Sequence, residues 1–372
     1  MRGLLVSMGV QYRTIILDGL LLSNRAKQVS LRDNALDIAK GLAIILVVLG
    51  HTLQSRSPDF DEILGFRLIY SFHMPLFAFL AGAAAVFWIE NFDFHSSVGS
   101  AALVSIRRIK RSAISMLIPF ISWTLVGYVL SGVEEPFSSY MLDVFAHSDR
   151  SLWFLPCIFW CTTYTVIYLW LATAFARVFA NTRLQPLLDK LSPLPVQMLI
   201  LLGLWTLIKG KLPPEFGLIF ANGFHGGLFV FFALGAAFYR PFSRTEKIWL
   251  RVAPYVLFLT LAGFWHRTLP DNLSPDAPSL LRMSFMANNF PFIVAISGSL
   301  AVIDFTRLIA AMNLRQVNAT LSYLGSLSLA IYAIHFYALG YWPPVAGPLA
   351  ISVALYLLLS KIPFVKIALF GK

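Results

Sequence analysis

The stretch Asp37-Ile-Ala-Lys40-Gly-Leu-Ala-Ile-Ile-Leu-Val-Val-Leu-Gly-His51 decides the class of this chain. With its flanks it is long and apolar enough for a membrane helix, which needs roughly 20 such residues. A helix turns about 100° per residue, so Lys40 and His51, eleven positions apart, lie on one face about 16 Å from each other. Asp37, one turn before Lys40, lies close to the same face. A stripe that carries an acid, a cation and a histidine does not face lipid. It faces a bundle interior or an aqueous cavity, and such groups mark a site by default. A second apolar run, Tyr70-Ser-Phe-His73-Met-Pro-Leu-Phe-Ala-Phe-Leu-Ala-Gly82, repeats the pattern with another histidine.

The rest of the chain agrees with a membrane class. Hydrophobic residues make up 58% of its 372 positions, charged residues 13%, and the mean hydropathy is +0.73. A soluble domain carries roughly 25% charged residues. The net charge of +11 therefore reads as membrane topology rather than as nucleic-acid binding. Cys157 and Cys161, the only cysteines, lie in one apolar run and are expected to pack as small hydrophobes rather than to form a disulfide or a zinc site.

Ten spans are expected, near 35–53, 66–88, 113–133, 152–176, 193–208, 217–239, 249–266, 285–303, 319–341 and 346–364. With the N-terminus inside, the inner segments hold about three times as many Lys and Arg as the outer ones, which supports cytoplasmic N- and C-termini. The fold class is then all-α: a polytopic membrane helix bundle of about ten transmembrane helices. Residues 1–30 read as an N-terminal extension, surface-lying or mis-started, because Ile15 to Leu22 is too short and interrupted to span. Residues 31–372 read as a single membrane domain.

Topology brings further residues to the depth of His51. The second span runs inward and places His73 in its outer half. The fourth starts outside and places Trp153 there. The ninth runs outward and brings up Tyr332 and His335. At the inner face Arg107, Arg108, Lys110 and Arg111 precede the third span. They read as a positive-inside anchor or as a phosphate-binding patch, since guanidinium groups pair phosphate bidentately. His225, Asn288 and Asn289 are further outer-side candidates. His95, His147 and His266 read as loop or interface residues. No metal site is expected.

Five pieces in order now resemble a known family: Asp37, Lys40-Gly41 and His51; Phe72-His73-Met74-Pro75-Leu76-Phe77 with Ala81-Gly82; the basic run Arg107 to Arg111 followed by Pro119; Leu152-Trp153-Phe154-Leu155; and Ser328, Tyr332 and His335. Over residues 31–372 the chain resembles the acyltransferase-3 integral membrane acyltransferases, nearest to the branch of fucose O-acetylase-like proteins and exopolysaccharide O-acetyltransferases. The family's first-helix motif is arginine, ten residues, then histidine. Here Lys40 stands at the arginine position, keeping the charge and losing the planar fork.

The resemblance implies an O-acyltransferase, most simply an O-acetyltransferase of a bacterial inner membrane. The donor is acyl-CoA, above all acetyl-CoA, taken from the cytoplasm. The acceptor is a sugar hydroxyl of an envelope or exported polysaccharide or of its lipid-linked precursor. The bilayer and polysaccharide assembly proteins are the expected partners, with no nucleic acid, metal or prosthetic group. Some members carry a further soluble domain; here the membrane domain or a separate partner is expected to complete transfer. His51 is expected to deprotonate the acceptor or to carry the acyl group itself. Asp37 and Lys40 would set charge in the donor path, and His73 with Trp153 would shape the reaction centre. Tyr332 and His335 would line the substrate, and the basic run would hold the CoA phosphates.

Two other classes start from the same buried ionisable groups. A proton-coupled transporter or flippase would use Asp and His as relays. A bis-histidine haem protein would use His51 and His73 as axial ligands. Transfer from a labelled donor separates the first from an acyltransferase, and a visible absorption spectrum separates the second.

Overall fold

Apolar runs separated by short polar breaks build helices in series. The structure, a computed structural model, describes residues 34–90, 92, 97–146, 152–180, 182–209 and 227–372. The expected extension at 1–30 lies outside them. From Ala35 to Lys372 the chain forms one compact unit. Its helices are α1 (Asn34–Arg56), α2 (Leu64–Tyr70), α3 (His73–Ile89), α4 (Val98–Ser131), α5 (Phe137–Ala146), α6 (Phe154–Val178), α7 (Gln185–Leu191), α8 (Leu194–Lys209), α9 (Leu228–Arg244), α10 (Ile248–Leu261), α11 (Ser279–Arg282), α12 (Ser284–Ala311), α13 (Arg315–Ser326), α14 (Ser328–Ile334), α15 (Ala346–Leu359) and α16 (Pro363–Phe370). Among the described residues the one β-type pairing is an isolated bridge from Trp265 to Leu273. The all-α membrane bundle holds.

Each of the ten expected spans contains a helix. Among the described residues, five segments are long and apolar enough to cross a membrane on their own: 34–56, 64–89, 98–131, 154–178 and 284–311. A sixth is the pair α13 and α14, bent by 64° at Leu327 and continued to Ala338. Two of the others, α10 and α15, end before their sequence windows because turns follow them. Helix α10, for example, tightens into a 3-10 turn at Ala262–Phe264 and then leaves the helix.

In lipid, helices gain little from hiding apolar surface from one another, so close packing decides which pairs meet. Helices α3 and α9 cross at two glycines. A Cβ on Gly82 would lie 1.9 Å from the Phe232 carbonyl oxygen, and one on Gly235 would lie 2.0 Å from that of Phe79. Helices α1 and α13 meet the same way. A Cβ on Gly41 would sit 1.9 Å from the Leu321 carbonyl oxygen, and one on Gly325 would sit 2.0 Å from that of Asp37. Cys157 and Cys161 are free, buried and part of the main core.

The bundle has two distinct ends. One carries the loop 57–63 and the segment 262–283, and is here called the histidine end. The other carries the starts of α1 and α4 and the ends of α3, α9 and α12, and is called the basic end. At the basic end Asp304 is buried. It accepts from Arg251 Nε at 2.8 Å and Tyr255 Oη at 3.3 Å, with Arg307 at 3.5 Å. Glu90 pairs with Arg240 between α3 and α9. Three of the cations that set the topological bias thus also have carboxylate partners.

Candidate functional site

His51 sits on the last turns of α1, and three elements bring rings to it. Helix α3 begins at His73, whose ring centroid is 6.4 Å from that of His51. The 3-10 turn His335–Ala338 follows α14 and places His335 at 5.2 Å and Phe336 at 4.4 Å. Tyr70, the last residue of α2, lies beside both, 5.6 Å from His51 and 4.6 Å from His73. Gly50 makes room for it, since a Cβ there would stand 2.8 Å from the Tyr70 ring. Three histidines named from sequence are therefore one cluster, and His73 and His335 are buried.

The hydrogen bonds assign the tautomers. The Tyr70 hydroxyl donates to the Gln54 side-chain oxygen, which can only accept. Its oxygen also lies 2.8 Å from His51 Nδ1. With the tyrosine proton committed, His51 Nδ1–H is the donor and its Nε2 keeps a lone pair. His73 Nδ1 lies 3.1 Å from the Ile69 carbonyl, and His335 Nδ1 lies 3.0 and 2.9 Å from those of Ile331 and Tyr332. Carbonyls cannot donate, so these rings also carry the proton on Nδ1. Three neutral imidazoles each offer an acceptor Nε2. That of His335 is buried with no hydrogen-bond partner among the described residues. A buried polar atom left unpaired is costly, so this site is set for a ligand that brings a donor proton, such as a hydroxyl.

The other expected residues divide. Tyr332 is buried with its ring 6.2 Å from His335. Trp153 packs edge-on to Phe154 at 6.1 Å, and Phe154 meets Tyr332 at 6.3 Å, so Trp153 joins the cluster through an intermediate ring. Asp37 and Lys40 pair with one another at 3.8 Å on the first turns of α1, about 21 Å and about 16 Å from His51 along the helix. They belong to the basic half, not to the histidine cluster. Of the basic run, Arg107, Lys110 and Arg111 are exposed, whereas Arg108 turns inward and lays its guanidinium 4.6 Å over the Trp88 ring. Arg108 Nε, Trp88 Nε1 and Ser105 Oγ are buried and unpaired among the described residues. Asn289 donates to the Phe285 carbonyl at 2.7 Å, and Asn288 is exposed. His225, His95 and His147 lie outside the described residues. No group of three His, Cys, Asp or Glu among the described residues is arranged to hold a metal ion.

Sequence reasoning missed the strap over this end. Residues 262–273 fold back against α2. Arg67 donates to the Gly263 carbonyl at 2.9 Å and to His266 Nε2 at 2.8 Å, so of its two expected readings, loop or interface, His266 takes the second as a buried contact. The Asp61 carboxylate accepts from the Arg267 and Thr268 amides, both at 2.9 Å, and from the Thr268 hydroxyl at 2.6 Å. Burial alone would raise the Asp61 pKa, but the hydrogen bonds prevail and hold it below its ordinary 3.8, so the carboxylate is ionised at neutral pH. Tyr70 and Gln54 were also missed. Spacing on α1 puts Gln54 one turn after His51, but Tyr70 ends α2, and only the fold brings the two side chains together.

The comparisons agree with this architecture. The family model described as an acyltransferase domain, that of the acyltransferase-3 proteins, matches residues 33–367. The Nodulation protein NolL of Mesorhizobium japonicum is 31% identical over 181 residues, 44% of this chain and 46% of that protein. The Nodulation protein NolL of Sinorhizobium fredii is 38% identical over 96 residues, 25% of this chain and 23% of that protein. The aligned stretches thus span half or less of these relatives. No solved structure matches the chain. With the family model covering α1 through most of α16, and with helices of spanning length around a buried histidine cluster, the chain belongs to the acyltransferase-3 family of integral membrane proteins.

Proposed function

We propose that the protein is an O-acyltransferase of a bacterial inner membrane, moving an acetyl group from acetyl-CoA to a sugar hydroxyl of an envelope or exported glycan. The observation that carries this reading is the set of three imidazoles with committed Nδ1 protons beside Tyr70. Such a set lacks a donor, and an acceptor hydroxyl supplies one. His51 Nε2 takes the hydroxyl proton as general base. The oxygen attacks the thioester carbonyl, the C–O bond forms and the C–S bond breaks. The leaving thiolate takes the proton back from His51, which yields an ester and a free thiol.

The basic end faces the cytoplasm in this reading, in keeping with its cations. The orphaned donors of Arg108, Trp88 and Ser105 suit the phosphate and amide groups of the donor. Trp88 and His73 are fifteen residues apart on α3, about 22 Å along its axis. A nucleotide thioester with a long thin arm is the kind of donor that bridges such a gap. The relatives come from rhizobia, and their name links them to nodulation; a glycan acceptor at a cell envelope is consistent with both. Polysaccharide assembly proteins are the expected partners.

The test is transfer of radiolabelled acetyl from acetyl-CoA to the host's glycan fraction in membranes carrying wild type or His51→Ala. The expected result is label with wild type and a loss of at least about a hundredfold in the variant. Near-wild-type labelling by a folded His51→Ala protein sinks the assignment of His51. No label with wild type, with acetyl or longer donors, sinks the acyltransferase reading.

A further inference from the structure

The strap 262–273 does more than close the histidine end. Its Arg267 lies exposed, with the guanidinium 5.3 Å over the Tyr70 ring. That ring is the one whose hydroxyl holds His51 Nδ1. The position is fixed rather than adventitious. Asp61 binds the strap at Arg267 N, Thr268 N and Thr268 Oγ1, so both of its carboxylate oxygens are spent on the strap's backbone and the Thr268 hydroxyl. Among the described residues no carboxylate pairs with the Arg267 guanidinium itself. Arg67, the other arginine of the strap contacts, turns its Nη1 to Gly263 and His266 and is half-buried, with its Nε enclosed and unpaired among the described residues. The result is an exposed, seated guanidinium with no carboxylate partner among the described residues, at the mouth of a cluster of neutral rings.

An arginine held in place by an acid that never touches its charge is arranged for an external anion. A guanidinium on a ring face keeps its in-plane N–H donors free at the edge, which is the geometry for a bidentate carboxylate or phosphate. We infer that Arg267 is a specificity-determining residue that binds an anionic oxygen group of the acceptor, the carboxylate of an acidic sugar or the phosphate of a lipid-linked one, and so sets the acceptor hydroxyl beside His51. This rests on the acyltransferase reading above and adds the chemical class of acceptor. A neutral sugar would reach the same rings without that anchor and would use the site less well.

The experiment measures acetyl transfer from labelled acetyl-CoA into the host glycan fraction prepared three ways: native, carboxyl-reduced, and freed of phosphate by mild acid. Wild type, Arg267→Gln and Arg267→Lys are compared in membranes. With wild type, one of the two treatments is expected to lower kcat/KM about tenfold, mainly through KM, as loss of one charge-assisted contact does. Reduction doing so identifies a carboxylate, and mild acid a phosphate. Arg267→Gln is expected to lose about tenfold on the native glycan and to become indifferent to the treatment. Arg267→Lys recovers part of the loss because it keeps the charge. Wild type that labels all three preparations equally overturns the inference and leaves the acyltransferase reading standing. So does an Arg267→Gln protein that loses kcat in the same proportion on every preparation, which marks a merely structural strap residue. Wild type that labels none of them overturns the acyltransferase reading, and the inference with it.

Discussion

At the scale of the residue, the proton on Tyr70 organises the site. A phenol has one proton to give, and Gln54 receives it. The Tyr70 oxygen then faces His51 Nδ1 as an acceptor and fixes the ring with Nε2 unprotonated. Tyr70→Phe keeps the ring on which Arg267 lies but removes this lock. The expected outcome is a fall in kcat of about a hundredfold with acceptor KM little changed, since the base spends most of its time in the wrong tautomer. Steady-state transfer by the purified variant checks it, and a kcat within about twofold of wild type rules the lock out. The histidines themselves were legible in sequence, because an ionisable group in an apolar run announces itself. Tyr70 and Gln54 were not. Their hydrogen bond crosses from α2 to α1 over the break at 57–63, and helical periodicity carries no information about how a turn directs two helices.

At the scale of the element, crossings replace hydrophobic driving force. Gly82 of α3 and Gly235 of α9 each place a backbone where a side chain would otherwise begin. Gly82→Ala puts a methyl against the Phe232 carbonyl, which belongs to a helix and cannot swing away as a flexible side chain would. The helices must separate, and the expected destabilisation is about 1–3 kcal/mol, in the range found for overpacked interiors. Thermal unfolding in detergent measures it, and a melting temperature equal to wild type would count against the crossing as a stability determinant. A helix in each of the ten apolar windows was readable, but the short helices α5, α7, α11 and α16 lie between or beyond those windows and were not. Nor were the helix lengths, because several windows run on into turns. The ninth window reads as one span from 319 to 341. In the fold it bends by 64° and tightens to a 3-10 turn at His335, with no proline inside the window to signal the break.

At the scale of the molecule, the proposed site is divided between two ends. The histidines and Arg267 gather at one, and the orphaned donors of Arg108, Trp88 and Ser105 at the other. Loss of a contact at one end should act on one substrate. Arg108→Gln is expected to raise KM for acetyl-CoA about tenfold and to leave KM for the glycan near wild type. Varying each substrate against saturating levels of the other separates the two. Equal effects on both constants would place Arg108 in the scaffold instead. The sequence showed a run of four cations but not that one of them turns inward, because burial at a helix surface is decided by which neighbour offers a ring, here Trp88 of α3.

The crossing of α1 with α13 has a mechanical meaning. The two helices touch at Gly41 and Gly325 near the basic end, and their continuations meet again as His51 and His335. Gly41 and His51 are ten residues apart, so a rigid α1 has a lever arm of about 15 Å beyond that fulcrum. A tilt of about two degrees at the pivot then displaces His51 by about 0.5 Å, the tolerance within which a preorganised site works. The alignment of the two imidazoles is thus calibrated far from either of them, at a hinge pin with no side chain.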